Sequence, residues 1–354
     1  MEESKNEIAK KSMIFIVGTS RSGTTLMRQI LSKHSNVYIS KETHYFDDLR
    51  VKMSGREQKP LSSQEIQVTE DYFLALTHKA YEAKGDPEQG WMDRMELRSL
   101  AQQIGCGTDS YFEAYCQLCA QKKNKTIFGE KTPRHIFKIA EILNCYPDAK
   151  VICMVRNPGG VIASYRDFWK SQWRSDSSSK SLTEKRRIKN SYNLIIISLI
   201  WKAALNAALK ARDQFGESRV YIQQFENLVT CPEPSLKSLT NWLTLDYEPS
   251  MHTVGLVNSS YSNSWSNGSG LSSEPAYRWQ EKLSDAEVAI FQFCCGQQLL
   301  KAGYTKKQVQ IPAILIIWLW LTLPFAGLRA LLANSNRISN IPQYLWRRLR
   351  LVIG

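Results

Sequence analysis

Residues 1–11 of this 354-residue chain, M-E-E-S-K-N-E-I-A-K-K, contain no apolar run of signal-peptide type, so the domain that follows is expected to be cytoplasmic. No repeat of 20–50 residues is visible, which excludes solenoids and propellers. The eight cysteines have no framework spacing. Cys116-x-x-Cys119 lacks a second pair at zinc spacing, and its surroundings (Y-F-E-A-Y-C-Q-L-C) read as a helix, so buried reduced thiols and no metal are expected. Acidic residues are missing from 305–354, which hold Lys306, Lys307, Arg329, Arg337, Arg347, Arg348 and Arg350. Of the net charge of +13, those seven cations leave 13 − 7 = +6 for the first 304 residues. That excess suits an anionic nucleotide and does not indicate nucleic acid. At 43% hydrophobic residues the chain has enough apolar side chains for a sizeable core.

What is present begins at Met13. Met13–Val17 is an apolar run of strand length, Gly18–Gly23 is a small-residue turn, and T-L-M-R-Q-I-L from Thr24 has helical spacing, with Leu26, Met27, Ile30 and Leu31 on one side. Strand, glycine-rich turn and helix start point backbone N–H groups and the positive end of a helix dipole at an anion. The spacing Gly18-x4-Gly23 matches a Walker loop as far as its second glycine. Thr24 then stands where the Walker lysine would be, which argues against a nucleoside triphosphatase. The cation of the turn is Arg21, inside it. R-S-G-T-T-L-M resembles the 5′-phosphosulfate loop of sulfotransferases that use 3′-phosphoadenosine 5′-phosphosulfate (PAPS). The resemblance implies nucleotide contacts from Thr19, Ser20, Arg21, Ser22, Gly23, Thr24 and Thr25.

A second short strand, Val37–Ile39, runs into Lys41-Glu-Thr-His-Tyr-Phe-Asp47. In a doubly wound sheet, ligands sit at the carboxyl ends of strands. A strand ending at Ile39 brings Lys41, Glu42 and His44 to the same edge as the Gly18–Gly23 turn. A carboxylate there repels phosphate but makes sense as a base for an incoming hydroxyl. K-E-T-H-Y-F-D resembles the K-E-x-H-F-F-D segment of heparan sulfate sulfotransferases. The separation of Arg21 from Glu42 resembles that in tyrosylprotein sulfotransferases. Both likenesses imply a base role for Glu42, and the first implies acceptor-side roles for His44 and Asp47.

Residues 51–125 read as a polar helical insertion, with amphipathic helices at Asp71–Ala83 and Met92–Ile104. Ile127 and Phe128 then lead into Gly129, Glu130 and Lys131, and Pro133 opens a helix through His135, Ile136 and Ile139. Lys131 resembles the lysine of the family's E-K-[ST]-P segment, which lies by the transferring group. Val151–Val155 is a buried-type strand that delivers Arg156, followed by a helix from Gly159 to about Trp169. R-N-P-x5-S, Arg156 to Ser164, resembles the family's 3′-phosphate site, where a guanidinium supplies a forked donor.

Lys170–Ser191 is serine-rich and basic, a solvated linker by composition. Tyr192–Ala211 reads as a core helix, because seven uncharged residues between Leu194 and Ile200 are too few to span a bilayer. Val220–Ile222 is a further strand and Pro234–Leu245 a further helix. Phe225 stands where the family's Y-E-D-L-V segment has its nucleotide-side tyrosine, so that contact is not implied. Asn258–Ser273 is a Ser/Asn/Gly-rich loop without a matching basic motif. Ile311–Leu328 holds 18 residues without charge, close to the lower limit of about 17 for a spanning helix. Trp318 and Trp320 lie mid-segment and Pro324 would kink it. Ile338–Ile353 has the composition of a basic interfacial helix.

Together these imply an α/β fold, a P-loop-type parallel sheet flanked by helices. A polar segment (1–12) precedes a sulfotransferase domain (13–304), and a membrane-associated tail (305–354) follows, attached through 311–354. The implied catalytic residues are Glu42, Arg21 and Lys131, with Arg156 and Ser164 on the nucleotide, PAPS as co-substrate, no metal, and a hydroxyl-bearing acceptor. A P-loop kinase would need a Walker lysine and an acid after Val151–Val155, where Arg156 stands. A non-catalytic membrane-bound nucleotide-binding scaffold would have no need of Glu42 and Lys131 at the site edge.

Overall fold

Parallel strands need long crossover connections, and the helical stretches between these short apolar runs supply them. The computed structural model describes residues 13–172, 190, 192–254, 271–310 and eight positions between 314 and 332. Its five strands are β1 (Ile14–Gly18), β2 (Val37–Ser40), β3 (Ile127–Lys131), β4 (Lys150–Val155) and β5 (Val220–Gln224), all parallel, in the order β2-β3-β1-β4-β5. Successive residues of β1 enter opposite cores, as strand geometry requires. Met13, Phe15 and Val17 pack with Phe73, Phe112, Ile139 and Ala208 on one face. Ile14 and Ile16 pack with Met27, Ile30, Leu236 and Leu239 on the other.

The apolar runs of the sequence predict four strands, with Ile127–Lys131 as a lead-in to a cation. The structure makes it β3, seated between β2 and β1. Only its first half is apolar, and Gly129 lowers strand propensity. Gly129 is there because β1 comes close: a Cβ on it would lie 2.1 Å from the Ile14 carbonyl oxygen.

Between β2 and β3 the main helices are Ser63–His78, Arg94–Ile104 and Thr108–Gln121. The first begins eight residues before the expected Asp71, because Ser62 and Glu65 form a reciprocal capping box. It ends at His78, and Tyr81–Ala83 is a separate 3-10 turn. Asp93 caps the second helix within two residues of the expected start. Their aromatic face meets β1: Phe15 and Phe112 stack at 6.1 Å between ring centroids, and Phe73 and Tyr115 at 5.3 Å. Cys116 and Cys119 are free and buried in the third helix.

The helix Leu194–Phe215 has the length and apolarity to cross a membrane. Trp201, Ala204, Leu205 and Ala208 bury one face of it in the domain, as expected of a core helix. It begins two residues after the expected Tyr192, capped by Asn193. Most of the Lys170–Ser191 linker, most of the Asn258–Ser273 loop, residues 1–12 and the Ile338–Ile353 helix lie outside the described residues.

Candidate active site

β1 ends at Gly18, and the turn closes on itself: Thr19 O accepts from Ser22 N at 3.1 Å and from Ser22 Oγ at 2.6 Å. Gly23 precedes the helix Thr24–Leu31, at φ 94°. A Cβ there would meet the Phe225 ring at 2.5 Å, so the position needs glycine for its backbone and for space. Arg21 sits in the left-handed region at φ 71°, a conformation that costs a non-glycine residue of order 1 kcal/mol or more and concentrates at ligand sites. Thr24 and Thr25 open the helix, leaving their N–H groups at its positive end.

On the β4 side the turn is tied to Arg156 and Ser164. Arg21 Nε donates to Ser164 Oγ at 2.9 Å. Arg156 Nη1 donates to Arg21 O at 3.1 Å and Nη2 to Pro275 O at 2.6 Å. The guanidinium lies over the Phe225 ring, 4.3 Å from its centroid, while the Arg156 carbonyl accepts from Trp201 Nε1 at 2.8 Å. Arg21 is therefore grouped with Arg156 and Ser164. Phe225 lacks the hydroxyl of the tyrosine it replaces in the resemblance, but its ring is the platform under Arg156. Glu226 was missed at the sequence level. It accepts from Asn157 N at 2.9 Å and from Tyr304 OH at 2.7 Å, bracing the chain just after Arg156. Burial raises the pKa of its carboxyl.

On the β3 side the sheet brings Glu42 and Lys131 together. Lys131 Nζ donates to Glu42 Oε1, and His44 Nε2 stands 3.4 Å from Glu42 Oε2. His44 also lies 3.8 Å from Glu82 Oε1, a partner that the insertion supplies without any sequence signal. Its ring packs on Tyr81 at 4.3 Å, and its φ of 54° is left-handed too. Asp47 bonds through its backbone N to His44 O at 3.0 Å. Asp47 Oδ2 is buried with no hydrogen-bond partner among the described residues. Glu42, His44 and Glu82 converge closely enough to hold a cation, though Lys131 already neutralises Glu42.

Burial alone would raise the Glu42 carboxyl, but the His44 contact, the Lys131 charge and the Lys131 hydrogen bond outweigh it and hold the pKa at about 2, against an ordinary 4.5. Burial would likewise lower His44, but Glu42 and Glu82 outweigh it and raise it to about 9 from 6.5. The two shifts act on stability in opposite pH ranges. Glu42 contributes stability that is present above pH 4.5 and lost as pH falls through about 2. His44 contributes stability that is complete below pH 6.5 and lost as pH rises through about 9. The melting temperature is expected to fall between those alkaline limits in the wild type but not in His44→Gln. Parallel pH curves for the two proteins would show that His44 is not ionised in the fold.

The residue that assembles this side is Glu130, which sequence reasoning passed over. It is fully buried. Its Oε1 accepts from Thr43 N at 3.0 Å, from Thr43 Oγ1 at 3.1 Å and from Thr132 Oγ1, and its Oε2 faces His135 Nδ1 at 3.2 Å. It thus pins the residue after Glu42 to the strand that carries Lys131. Glu130→Gln is expected to lose about 1–3 kcal/mol, the range for a buried acceptor exchanged for an ill-matched amide. An unchanged urea midpoint would contradict this.

A model of the sulfotransferase family matches residues 13–249. Nodulation protein NoeE of Sinorhizobium fredii (strain NBRC 101917 / NGR234) is 27% identical over 157 residues, which are 44% of this chain and 31% of that protein. The chain thus spans about a third of the length of this curated relative. The sulfotransferase domain from the curacin biosynthetic pathway superposes with a TM-score of 0.50 at 17% identity, over 84% of this chain and 99% of that one, a likeness of fold. The sulfotransferase domain of the Synechococcus PCC 7002 olefin synthase gives 0.48 at 17% identity, over 88% and 100%. The family match runs from the residue before β1 to Pro249, past the two helices that follow β5, so it takes in the five described strands and every residue placed above except Pro275 and Tyr304, and by it the chain belongs to the sulfotransferase family.

Proposed function

We propose that the protein transfers a sulfuryl group from PAPS to an acceptor hydroxyl. The observation that carries this reading is the Glu42–Lys131 pair at the carboxyl edge of the sheet, beside an anion-binding turn that lacks a Walker lysine. The donor fits the residues present. Its 5′ end matches the N–H groups of the Thr19–Thr25 turn, and its 3′-phosphate matches Arg156 and Ser164. The cations Arg21 and Lys131 match the remaining charge.

The donor supplies an electrophilic sulfur on a phosphate leaving group, displaced in line. Glu42 accepts the proton of the acceptor hydroxyl. Lys131, with the turn and Arg21, holds the charge that develops on the leaving oxygen. Preorganised donors of this kind are worth about 3–4 kcal/mol each. In the fold described, His44 and Lys131 together hold the Glu42 carboxyl low and make it a weak base. Moving the ammonium toward the donor removes one of these two partners and raises the carboxylate's basicity, so donor binding arms the base. His44 steadies Glu42, and Asp47 lies on the acceptor side.

The test is incubation with sulfur-labelled PAPS and a host-cell lysate, followed by separation of lipid, glycan and protein fractions. Label in one fraction supports transfer to an acceptor. Label released only as inorganic sulfate contradicts it.

The tail is proposed to rest on a membrane. Ile314, Ile317, Leu321, Phe325, Leu328 and Leu332 are each more than half exposed, and residues 311–328 carry no charge. Lys306 and Lys307 precede this apolar segment and Arg329 follows it, which suits an anionic lipid surface. On cell fractionation, the full chain is expected in the membrane pellet and a chain lacking 311–354 in the supernatant. Full-length protein in the high-speed supernatant without detergent would contradict attachment.

A further inference from the structure

Two helices, Asp285–Cys295 and Gln298–Lys301, lead the chain out of the domain and into the tail. From Val288 to Cys295 every residue is buried except Phe293, which is 60% exposed. The buried ones pack against Val161, Ile195 and Trp201, so the first helix has a fixed seat on the domain. In the second helix Leu299 is buried and Leu300 is 55% exposed. A clasp ties these helices to the root of the tail. Gln292 Nε2 donates to Lys307 O at 3.0 Å, and Lys307 N donates to Gln292 Oε1 at 2.6 Å. Gln292 adjoins Phe293, and Lys307 lies just ahead of the uncharged segment 311–328. The same stretch borders the ligand edge of the sheet. Gln224, the last residue of β5, donates to Ala302 O, and Tyr304 OH donates to Glu226 Oε2.

We propose that the surface of these two helices, with Phe293 and Leu300 as its apolar contacts, docks the catalytic domain on an anionic lipid surface as a second membrane contact beside the tail. The proposal rests on the reading of the tail as membrane-attached. Exposed apolar residues scattered singly are ordinary. These two lie on the stretch clasped to the tail, so a tail at the bilayer brings them to the headgroups. Charge favours the same partner. Residues 288–354 hold eight Lys or Arg and no acid. Lys301 and Lys306 are exposed, and Asp285, across the clasp, is taken by Lys307 at 3.0 Å. An anionic leaflet improves partitioning by roughly fivefold for each nearby lysine. Phenyl and aliphatic side chains flanked by lysines suit the headgroup region, where the first are buried and the second stay wet. Docking there holds the domain by the edge that carries the site, where a tail alone would leave it free to turn.

The experiment floats the full chain with vesicles of mixed phosphatidylcholine and phosphatidylglycerol and measures its partition coefficient. Phe293→Asp and Leu300→Asp are each expected to lower it by about tenfold or more, the scale of one large apolar side chain kept from burial. A retained melting temperature shows that each variant folds. Amide hydrogen exchange of the wild type needs no variant, and it is expected to slow across residues 293–301 when vesicles are added. Unchanged partitioning of both folded variants, or no slowing of exchange there, overturns the proposal and leaves the tail as the contact. Variants that lose self-association while keeping their lipid partitioning overturn it in favour of a contact between copies of the chain. Equal partitioning into pure phosphatidylcholine overturns the anionic preference. A wild-type chain that floats with neither kind of vesicle overturns the tail reading beneath the proposal.

Discussion

Glu42→Gln is expected to lower turnover by about 10²–10⁴-fold, the span of a general-base contribution, while affinity for bisphosphoadenosine is unchanged or tighter. The second half follows from geometry. Lys131 is almost fully buried, with 5% of its side chain exposed, and its ammonium is held by the Glu42 carboxylate. Glutamine keeps the shape but gives up the charge, so Lys131 is released toward the nucleotide phosphates. A residue that merely braced the loop would lose donor affinity together with turnover. The measurement is single-turnover transfer alongside calorimetric titration with bisphosphoadenosine. A turnover loss under about fivefold would remove Glu42 from the base role and turn attention to His44, which shares its edge and its charge environment.

Arg156→Ala is expected to weaken the nucleotide by about 2–3 kcal/mol, as for a lost charge-assisted contact, or roughly 30–150-fold in Kd. Adenosine 5′-phosphosulfate, which lacks the 3′-phosphate, should suffer much less. Arg156 also donates to the carbonyls of Arg21 and Pro275, so alanine removes a support of the turn as well as a phosphate donor. The two nucleotides separate these effects. Equal losses with both would mean that Arg156 acts only by holding Arg21 in its left-handed conformation.

Much of this site is legible in the chain because its side chains lie at fixed offsets from strand ends. A buried parallel strand reads as an apolar run, and the residue after it is delivered to the ligand edge whatever the connection does. That is why Glu42 and Arg156, which follow β2 and β4, could be placed. β3 escaped because its last two residues, Glu130 and Lys131, are charged yet buried. A charged buried strand end is explained only by its partners, which come from residues 43 and 132–135 and from Glu42. Glu82 and Phe225 were illegible for the same reason, since their roles lie in contacts with His44 and Arg156 across the fold. The helix Ser63–His78 was misplaced for a local reason. Its capping box at Ser62 and Glu65 precedes the apolar stripe from which the periodicity was read.

On the proposed function, this fold holds a 3′-phosphorylated adenine nucleotide without a Walker lysine or metal-bound triphosphate. Differential scanning fluorimetry tests it on the full chain, with 3′,5′-bisphosphoadenosine in one arm and ATP with magnesium in the other. A ligand at about 100 times its Kd adds about 2.7 kcal/mol to the folded state. The expected result is a rise in melting temperature of that origin with bisphosphoadenosine and none with ATP and magnesium. Stabilisation by ATP and magnesium alone would contradict it.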